Sequence, residues 1–152
     1  AYIVRGGFKY VRPDERLHER IFDFSFEGEF VASYAAARNS CPAPLDICAL
    51  EESALAVIRM GEHLSFFQQT VGGQTYVRKF VDILAYRHLQ LALSLACTTP
   101  MERYLGLKAR FPGIFDRVSL REIASYVGVR PETLSRMRTS LLGRDTAGGG
   151  VS

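Results

Sequence analysis

The sequence contains no apolar run close to the roughly 18 to 20 residues of a membrane-spanning helix, so we expect no membrane association. It opens without a signal peptide. Its first residues, Ala-Tyr-Ile-Val, already have a strand-like pattern with no initiator methionine, which predicts that an N-terminal piece is missing. An apolar content of 47% excludes a disordered chain and is enough for one medium or two small domains.

Cysteine is scarce, at Cys41, Cys48 and Cys97, and no pair has the CxxC spacing of a metal site. An odd count argues against a disulfide framework, so reduced thiols in a cytoplasmic protein are expected. The sequence also has no Ser/His/Asp or Cys/His set, no phosphate-binding glycine loop, no HExxH and no paired carboxylates. We therefore predict that the protein is not an enzyme and that no metal is bound.

The stretch 119–141 predicts two short helices joined by a tight turn. In the first helix, Leu120, Ile123, Ala124 and Val127 form one apolar face, Ser119 and Glu122 form a capping box, and Gly128 ends the helix. In the second, Pro131 is the first helical residue, and the buried face has Leu134, Met137 and Leu141. Glu132, Ser135, Arg136 and Thr139 lie on the opposite face.

A polar helix face of this kind suits the DNA major groove, because arginine can pair with guanine and a carboxylate can accept from cytosine. The pattern is thus typical of a helix-turn-helix with a recognition helix over 131–141. An ordinary helical hairpin with a solvated basic face is the alternative. Residues 100–142 carry eight Lys or Arg against four Asp or Glu, whereas residues 1–99 carry ten against eleven. The positive charge is therefore concentrated where DNA phosphates would require it.

Residues 1–60 predict about five short strands separated by glycine turns at Gly6-Gly7 and Gly28, which is typical of an antiparallel barrel or roll. Phe22, Phe24 and Phe26 alternate with polar residues, so all three rings should enter one core.

A long helix is expected from Gln74 to Ala96, after an interruption at Gly72-Gly73. It is apolar on more than one face, which predicts contacts with its own barrel and with a twin helix in a dimer. Its main stripe, predicted as the dimer helix, comprises Val77, Phe80, Val81, Leu84, His88, Leu91 and Leu95.

Thr99, Pro100 and Glu102 predict the start of another helix that ends near Arg110, with Tyr104, Leu105 and Leu107 on its core side. The link Ile114–Val118 could hold the strand element of a winged helix. The glycine-rich tail 143–152 should be disordered.

This order of parts resembles the Crp/Fnr superfamily of bacterial transcription regulators, which are related to the cyclic-AMP receptor protein. The likeness is carried by Tyr2-Ile3-Val4-Arg5-Gly6-Gly7-Phe8, by Phe26-Glu27-Gly28-Glu29-Phe30, and above all by the run from Ile123 to Arg136. The Met101-Glu102-Arg103-Tyr104-Leu105 segment and the Pro-Glu-Thr-Leu-Ser-Arg string resemble the branch common in Bacteroidetes.

The resemblance implies a homodimer that binds a palindromic double-stranded operator, and it allows RNA polymerase as a further partner. The residues it assigns to DNA binding are Arg121, Arg130, Glu132, Thr133, Ser135, Arg136 and Arg138. Of these, Glu132 and Arg136 would contact bases, and Arg130 and Arg138 would contact the backbone. Pro131 stands where many members of the family have arginine, so one base contact is lost. The operator should therefore differ from the best-known operator of the family.

The effector is unknown. The resemblance places its pocket at Phe30, Val31, Ser33 and Tyr34. Cyclic-nucleotide binders have a glutamate and an Arg-Ser pair in this cassette, whereas Ser33 and Ala43-Pro44-Leu45 stand near those positions here. Without its arginine a cyclic phosphate would lose a charge-assisted bidentate contact, so cyclic AMP is not expected. Haem ligation by the isolated His18, His63 or His88 is not expected either.

Together these observations predict an α+β protein. It should contain a truncated antiparallel β-roll (cyclic nucleotide-binding-like) over 1–72, a long dimerisation helix over 73–97, a C-terminal winged helix-turn-helix over 98–142 and a tail over 143–152. The alternative is a ligand-binding or protein-interaction module whose helix-turn-helix serves assembly.

Overall fold

The computed structural model describes residues 1–14, 18–33, 36, 41–57, 59, 61, 62, 65, 67 and 69–147. The chain divides into two compact units. The strand unit comprises Ala1–Arg12 and Asp23–Thr98, and the helical unit comprises Pro13–Phe22 and Thr99–Ser152. The predicted α+β class is confirmed.

Within the described part of residues 1–60, the expected short strands form as β1 (Tyr2–Arg5), β2 (Phe8–Pro13), β3 (Glu19–Ser25), β4 (Asp46–Ala49) and β5 (Ala54–Ala56). β1 pairs with β5, and β2 pairs with β4, both antiparallel. The second sheet has the order β3-β2-β4. β2 pairs both with its neighbour in sequence, β3, and with the more distant β4, while β1 pairs with β5 at the far end of the strand segment.

Two glycine turns have clear steric causes. Gly6 has φ of 103°, and a Cβ there would collide with Ser53. Gly28 has φ of 84°, in the left-handed region that glycine adopts without penalty. Both turns are therefore positions at which another residue would strain the backbone.

The strand core includes a cluster of Ile3, Phe8 and Val31. Phe24 and Phe26 are buried, and their rings stack with centroids 6.4 Å apart. Phe22 is only half-buried, so the expectation of three rings in one core is wrong for this residue. Phe22 belongs to the segment that joins the helical unit, whereas Phe24 and Phe26 belong to the strand unit.

The long helix α1 runs from Val71 to Cys97. It begins three residues before the predicted start, because Thr70 caps it by accepting from Gly73 N–H at 3.0 Å. Gly72-Gly73 do not interrupt the helix. Gly73 is required by packing instead, since a Cβ there would collide with the Phe67 carbonyl.

The helical unit contains α2 (Pro100–Arg110), α3 (Ile114–Arg117), α4 (Leu120–Val127) and α5 (Pro131–Ala147). Both predicted capping boxes form. Thr99 N–H donates to Glu102 at 2.7 Å, and Ser119 N–H donates to Glu122 at 3.1 Å. The core of the unit consists of Tyr104, Leu107, Ile114, Val118, Ile123, Ala124, Val127 and Leu134.

Three expectations for this unit need correction. Leu105 is exposed, because it lies on the side of α2 away from Tyr104 and Leu107. The link 114–117 is the helix α3, and the regular elements of residues 99–147 are all helices, so the predicted wing is not among them. Residues 143–147, expected in a disordered tail, continue α5; residues 148–152 lie outside the described residues.

Candidate nucleic-acid interface

The turn between α4 and α5 is built around Gly128. Its backbone has φ of 81° and ψ of 34°, as predicted for a left-handed helix end. Gly128 N–H and Val129 N–H both donate to the Ala124 carbonyl, at 2.9 and 3.0 Å. This pair of hydrogen bonds ends α4 abruptly. The chain can therefore turn and begin α5 at Pro131.

Arg103 of α2 stabilises this turn by hydrogen bonds to the last residue of α4. Its Nε and Nη2 donate to the Val127 carbonyl at 2.9 and 2.7 Å. A positive charge at the end of α4 also complements the helix dipole. Sequence reasoning gave Arg103 no role, because the carbonyl it binds lies 24 residues away.

Leu134 anchors α5 to the rest of the unit. It is fully buried, Met137 and Leu141 are half-buried, and α4 packs against both α2 and α5. This is the predicted apolar face. The face of α5 that carries Glu132, Ser135 and Arg136 is therefore turned away from the core.

All seven predicted DNA-binding residues are exposed. Glu132 and Arg136 are four residues apart, so they lie side by side on consecutive turns. Among the described residues, none forms an ion pair with Arg121, Arg130 or Arg136. These three charges are available to a polyanion.

Arg138 is in a different position from the other candidates on α5. Four residues beyond the buried Leu134, it lies close to the core side, and its guanidinium carbon is 5.5 Å from the centre of the Phe115 ring. Phe115 in turn contacts Tyr104, with ring centroids 5.3 Å apart. A cation over an aromatic ring is favourable, so Arg138 is tied to α3 and does not belong to the Glu132 and Arg136 face.

Described residues of the strand unit line adjoining cavities of about 100 and 360 Å³. Phe30 lines the smaller and Ser33 the larger. Val31 is buried in the core with Ile3 and Phe8 and is not among the residues that line these cavities. Tyr34 and His63 lie outside the described residues. Pro44 and Leu45, from the position of the family's Arg-Ser pair, also line the larger cavity.

Arg87 of α1 is the cation on the wall of the smaller cavity. Its guanidinium pairs with Asp23 at 2.9 Å and with Glu29 at 3.5 Å. Tyr10 lies on the same wall, and burial raises the pKa of its hydroxyl. An anion that entered this cavity would compete with two carboxylates for Arg87, which disfavours anionic ligands.

The predicted stripe of α1 lies mostly against the other parts of the strand unit, to which α1 itself belongs. Val77, Phe80, Val81, Leu84 and Leu91 are half-buried, and Phe80 contacts Phe30 edge-on with ring centroids 5.4 Å apart. His88 and Leu95 are exposed. His88 Nδ1 donates to the Leu84 carbonyl of its own helix at 2.7 Å. Most of the stripe assigned to the dimer is therefore used within one chain.

A second apolar face of α1 is open. It comprises Tyr76, Ile83, Tyr86, Leu89 and Leu93, which are between 38% and 64% exposed. By length and composition alone α1 could cross a membrane, contrary to the expectation that the sequence has no apolar run of this kind. However, Arg87 of α1 forms ion pairs with Asp23 and Glu29, and Phe80 contacts Phe30. These contacts are typical of a helix that packs against the strands of a folded unit.

No family model matches the chain, and no curated protein matches it. Solved structures do. The chain has an antiparallel strand unit, a long helix and a helix-turn-helix, in this order. More particularly, the chain has a Crp/Fnr-like fold, and the predicted resemblance is confirmed.

FixK2 from Bradyrhizobium japonicum matches with a TM-score of 0.76 at 18% identity, over 95% of this chain and 74% of that chain. The c-di-GMP responsive global regulator CLP of Xanthomonas campestris matches with a TM-score of 0.64 at 18% identity, over 95% and 77%. A protein from Eubacterium rectale assigned to the crp/fnr family of transcriptional regulators matches with a TM-score of 0.63 at 11% identity, over 94% and 68%.

Proposed function

We propose that this chain is a sequence-specific DNA-binding transcription regulator of the Crp/Fnr type, acting as a cytoplasmic homodimer. The observation that carries the proposal is the exposed face of α5, where Glu132, Ser135 and Arg136 stand opposite the buried Leu134. The structural neighbours support it, since they include transcription regulators. RNA polymerase as a further partner stays a prediction.

The base contacts are proposed for Glu132 and Arg136, and the phosphate contacts for Arg121 and Arg130. Arg136 can donate two hydrogen bonds to one guanine, and Glu132 can accept from a cytosine on the same groove floor. Arg121, near the start of α4, and Arg130, just before α5, form no ion pair with another described residue, so their charges suit the backbone oxygens of DNA. Arg138 would reach a phosphate only beside Phe115.

The test begins with selection of the operator from a random DNA pool by the full chain, followed by mobility shifts. Arg136→Ala should weaken cognate binding by about 1 to 3 kcal/mol and relax specificity at one position. Arg130→Ala should weaken all sequences alike and lower the salt slope by about one. Arg12→Ala removes the same charge from an exposed position of the strand unit and should change neither.

Unchanged cognate binding by Arg136→Ala would reject the base contact. Failure of the wild type to shift any DNA at low salt, with the dimer intact, would reject the regulator. It would favour a module whose helix-turn-helix serves assembly.

Dimerisation is proposed through the open face of α1. Tyr76, Ile83 and Cys97 are in phase at multiples of seven residues, and Tyr86 and Leu93 form a second row seven apart. Such rows form the seam of a two-stranded coiled coil. Cys97 is exposed, so in a parallel pair the two Cys97 thiols would face each other across the seam.

Mild oxidation of a Cys41→Ser variant should therefore give a covalent dimer on a non-reducing gel. A Cys41→Ser, Cys97→Ser double variant is the control and should stay monomeric on the gel. The seam is rejected if sedimentation shows a dimer that Ile83→Asp does not dissociate.

The cavities beside Arg87 are proposed to bind a small-molecule effector other than a cyclic nucleotide. The support is the pairing of Arg87 with Asp23 and Glu29, together with the Pro44 and Leu45 wall. Calorimetric titration with cyclic AMP and cyclic di-GMP should show no binding to the wild type. Binding of either nucleotide at micromolar concentration would contradict this part of the proposal.

A further inference from the structure

The outer edge of β3 is bound by a side chain of the helix-turn-helix. Ser125 of α4 accepts from Ile21 N–H at 3.1 Å and donates to the Glu19 carbonyl at 3.0 Å. In an extended strand these two backbone groups point to the same side, where a pairing strand would bind them. One hydroxyl, which can donate and accept, takes the place of that strand.

The contact lies at the edge of a buried region. The bond of Ser125 to Ile21 is part-buried, and its bond to Glu19 is exposed. The Ile21 residue is 3% exposed, and Ala124, the neighbour of Ser125, is fully buried. Loss of the hydroxyl would leave the part-buried Ile21 N–H without this acceptor, which is costly. The bond therefore attaches the strand end firmly to α4.

This strand end belongs to the helical unit. The segment Pro13–Phe22 forms one compact unit with Thr99–Ser152, while the remaining parts of β2 and β3 belong to the strand unit. The hairpin is closed near its tip by Asp14, whose N–H donates to the His18 carbonyl at 2.9 Å. The chain thus passes between the units through β2 and β3 as well as through the junction of α1 and α2.

We propose that Ser125 is a positioning residue, which fastens α4 to the end of the β2–β3 hairpin and so holds the recognition helix α5 ready to read DNA. The hairpin then transmits changes in the strand unit to α5 by a route separate from α1. The inference rests on the proposed function, because it assigns a regulation to the same site.

The direction of the effect follows from exposure. With the hairpin bound to α4, all seven candidate contact residues are exposed, so the hairpin does not cover the DNA-binding face. Release of α4 would let the helix pair adopt other arrangements and reduce the fraction that is competent to bind. Apparent affinity falls by that fraction.

The test compares Ser125→Ala with Ser125→Thr, which keeps the hydroxyl. Ser65→Ala is the matched control, because the exposed Ser65 hydroxyl donates to the Glu62 carbonyl of its own turn at 3.0 Å. Two quantities are measured on the full chain: amide hydrogen exchange at Ile21 and along α4 and α5, and the ratio of affinities for the selected operator and for random DNA.

Ser125→Ala should speed exchange at Ile21 and in α5, and lower the operator-to-random ratio by roughly three- to tenfold, the range of one hydrogen bond. Ser125→Thr should restore most of the exchange protection and most of the affinity ratio. Ser65→Ala should change neither the exchange nor the ratio. Faster exchange at Ile21 with an unchanged ratio would overturn the proposal, as would unchanged exchange at Ile21.

An equal loss of both affinities together with a lower melting temperature would also overturn it, because that is the result of general destabilisation. If the wild type binds no DNA, the proposed function fails, and exchange alone decides the inference. Faster exchange in α5 together with Ile21 then supports the connection, and unchanged exchange in α5 rejects it.

Discussion

Two glycines of the helical unit should respond in opposite ways to the same substitution. Gly128 has a left-handed backbone, which costs a non-glycine residue about 1 to 2 kcal/mol. Its new Cβ would lie 3.4 Å from Arg103 Nη2, an ordinary contact, so backbone conformation dominates. Alanine restricts the unfolded chain and recovers part of the cost. Gly128→Ala should therefore lower the free energy of unfolding by about 1 kcal/mol.

Gly106 is the matched control. It lies inside α2, where a Cβ would meet nothing within 4 Å. Alanine in a helix interior is better than glycine by about 0.5 to 1 kcal/mol. Gly106→Ala should thus raise the free energy of unfolding, and the two variants should differ by roughly 1.5 to 2 kcal/mol.

The assay is urea unfolding followed by circular dichroism at one protein concentration, with amide exchange at Leu134 to report the helical unit. If Gly128→Ala is as stable as the wild type, the left-handed turn at α4 is not the state of the protein in solution. If Gly106→Ala destabilises by as much as Gly128→Ala, the backbone argument is wrong for both.

The remaining predictions concern charge. The backbone N–H and then the hydroxyl of Thr99 donate to Glu102, which lowers the pKa of that carboxyl. Its stabilisation is complete above the unfolded pKa of about 4.5 and is lost as pH falls through the folded pKa. Exchange protection of α2 should fall in acid, and Glu102→Gln should flatten this profile. Arg87→Met should destabilise the strand unit by about 1 to 2 kcal/mol, because two partly buried carboxylates lose their cation. Arg5→Met, whose ion pair is exposed, should cost close to nothing in the same urea titration.

The parts of the fold that could be predicted are those whose causes are local in sequence. The Ser119 and Thr99 caps bind a partner three residues away, and the turn at Gly128 closes within five residues, so the sequence pattern contains the whole interaction. The exposed face of α5 follows equally from the spacing of Leu134 and its neighbours. Most of the candidate DNA-binding surface was therefore predictable.

The structure departs from the sequence-based expectations where a contact with a residue distant in the sequence, or packing against another element, determines the role of a residue. Gly73 resembles a helix breaker, but its small size serves a close approach by Phe67. The family resemblance assigned Arg138 to the DNA backbone, and it did not indicate the contact of its guanidinium with the Phe115 ring. Ser125 bonds to backbone groups more than 100 residues away, and no spacing in the sequence indicates such a contact.

The helical phase of α1 sets a rule for building chimaeric sensors from this chain. Arg87 faces the strand unit through its ion pairs, while its neighbour Tyr86 is 64% exposed on the open face. One residue inserted before them would rotate all later side chains by about 100° and advance them by about 1.5 Å. Seven inserted residues would rotate them by only about 20°. A foreign strand unit can therefore be joined to this helix only through insertions close to a whole number of helical turns, such as about seven or about eleven residues. A series of insertions of increasing length should alternate between active and inactive fusions.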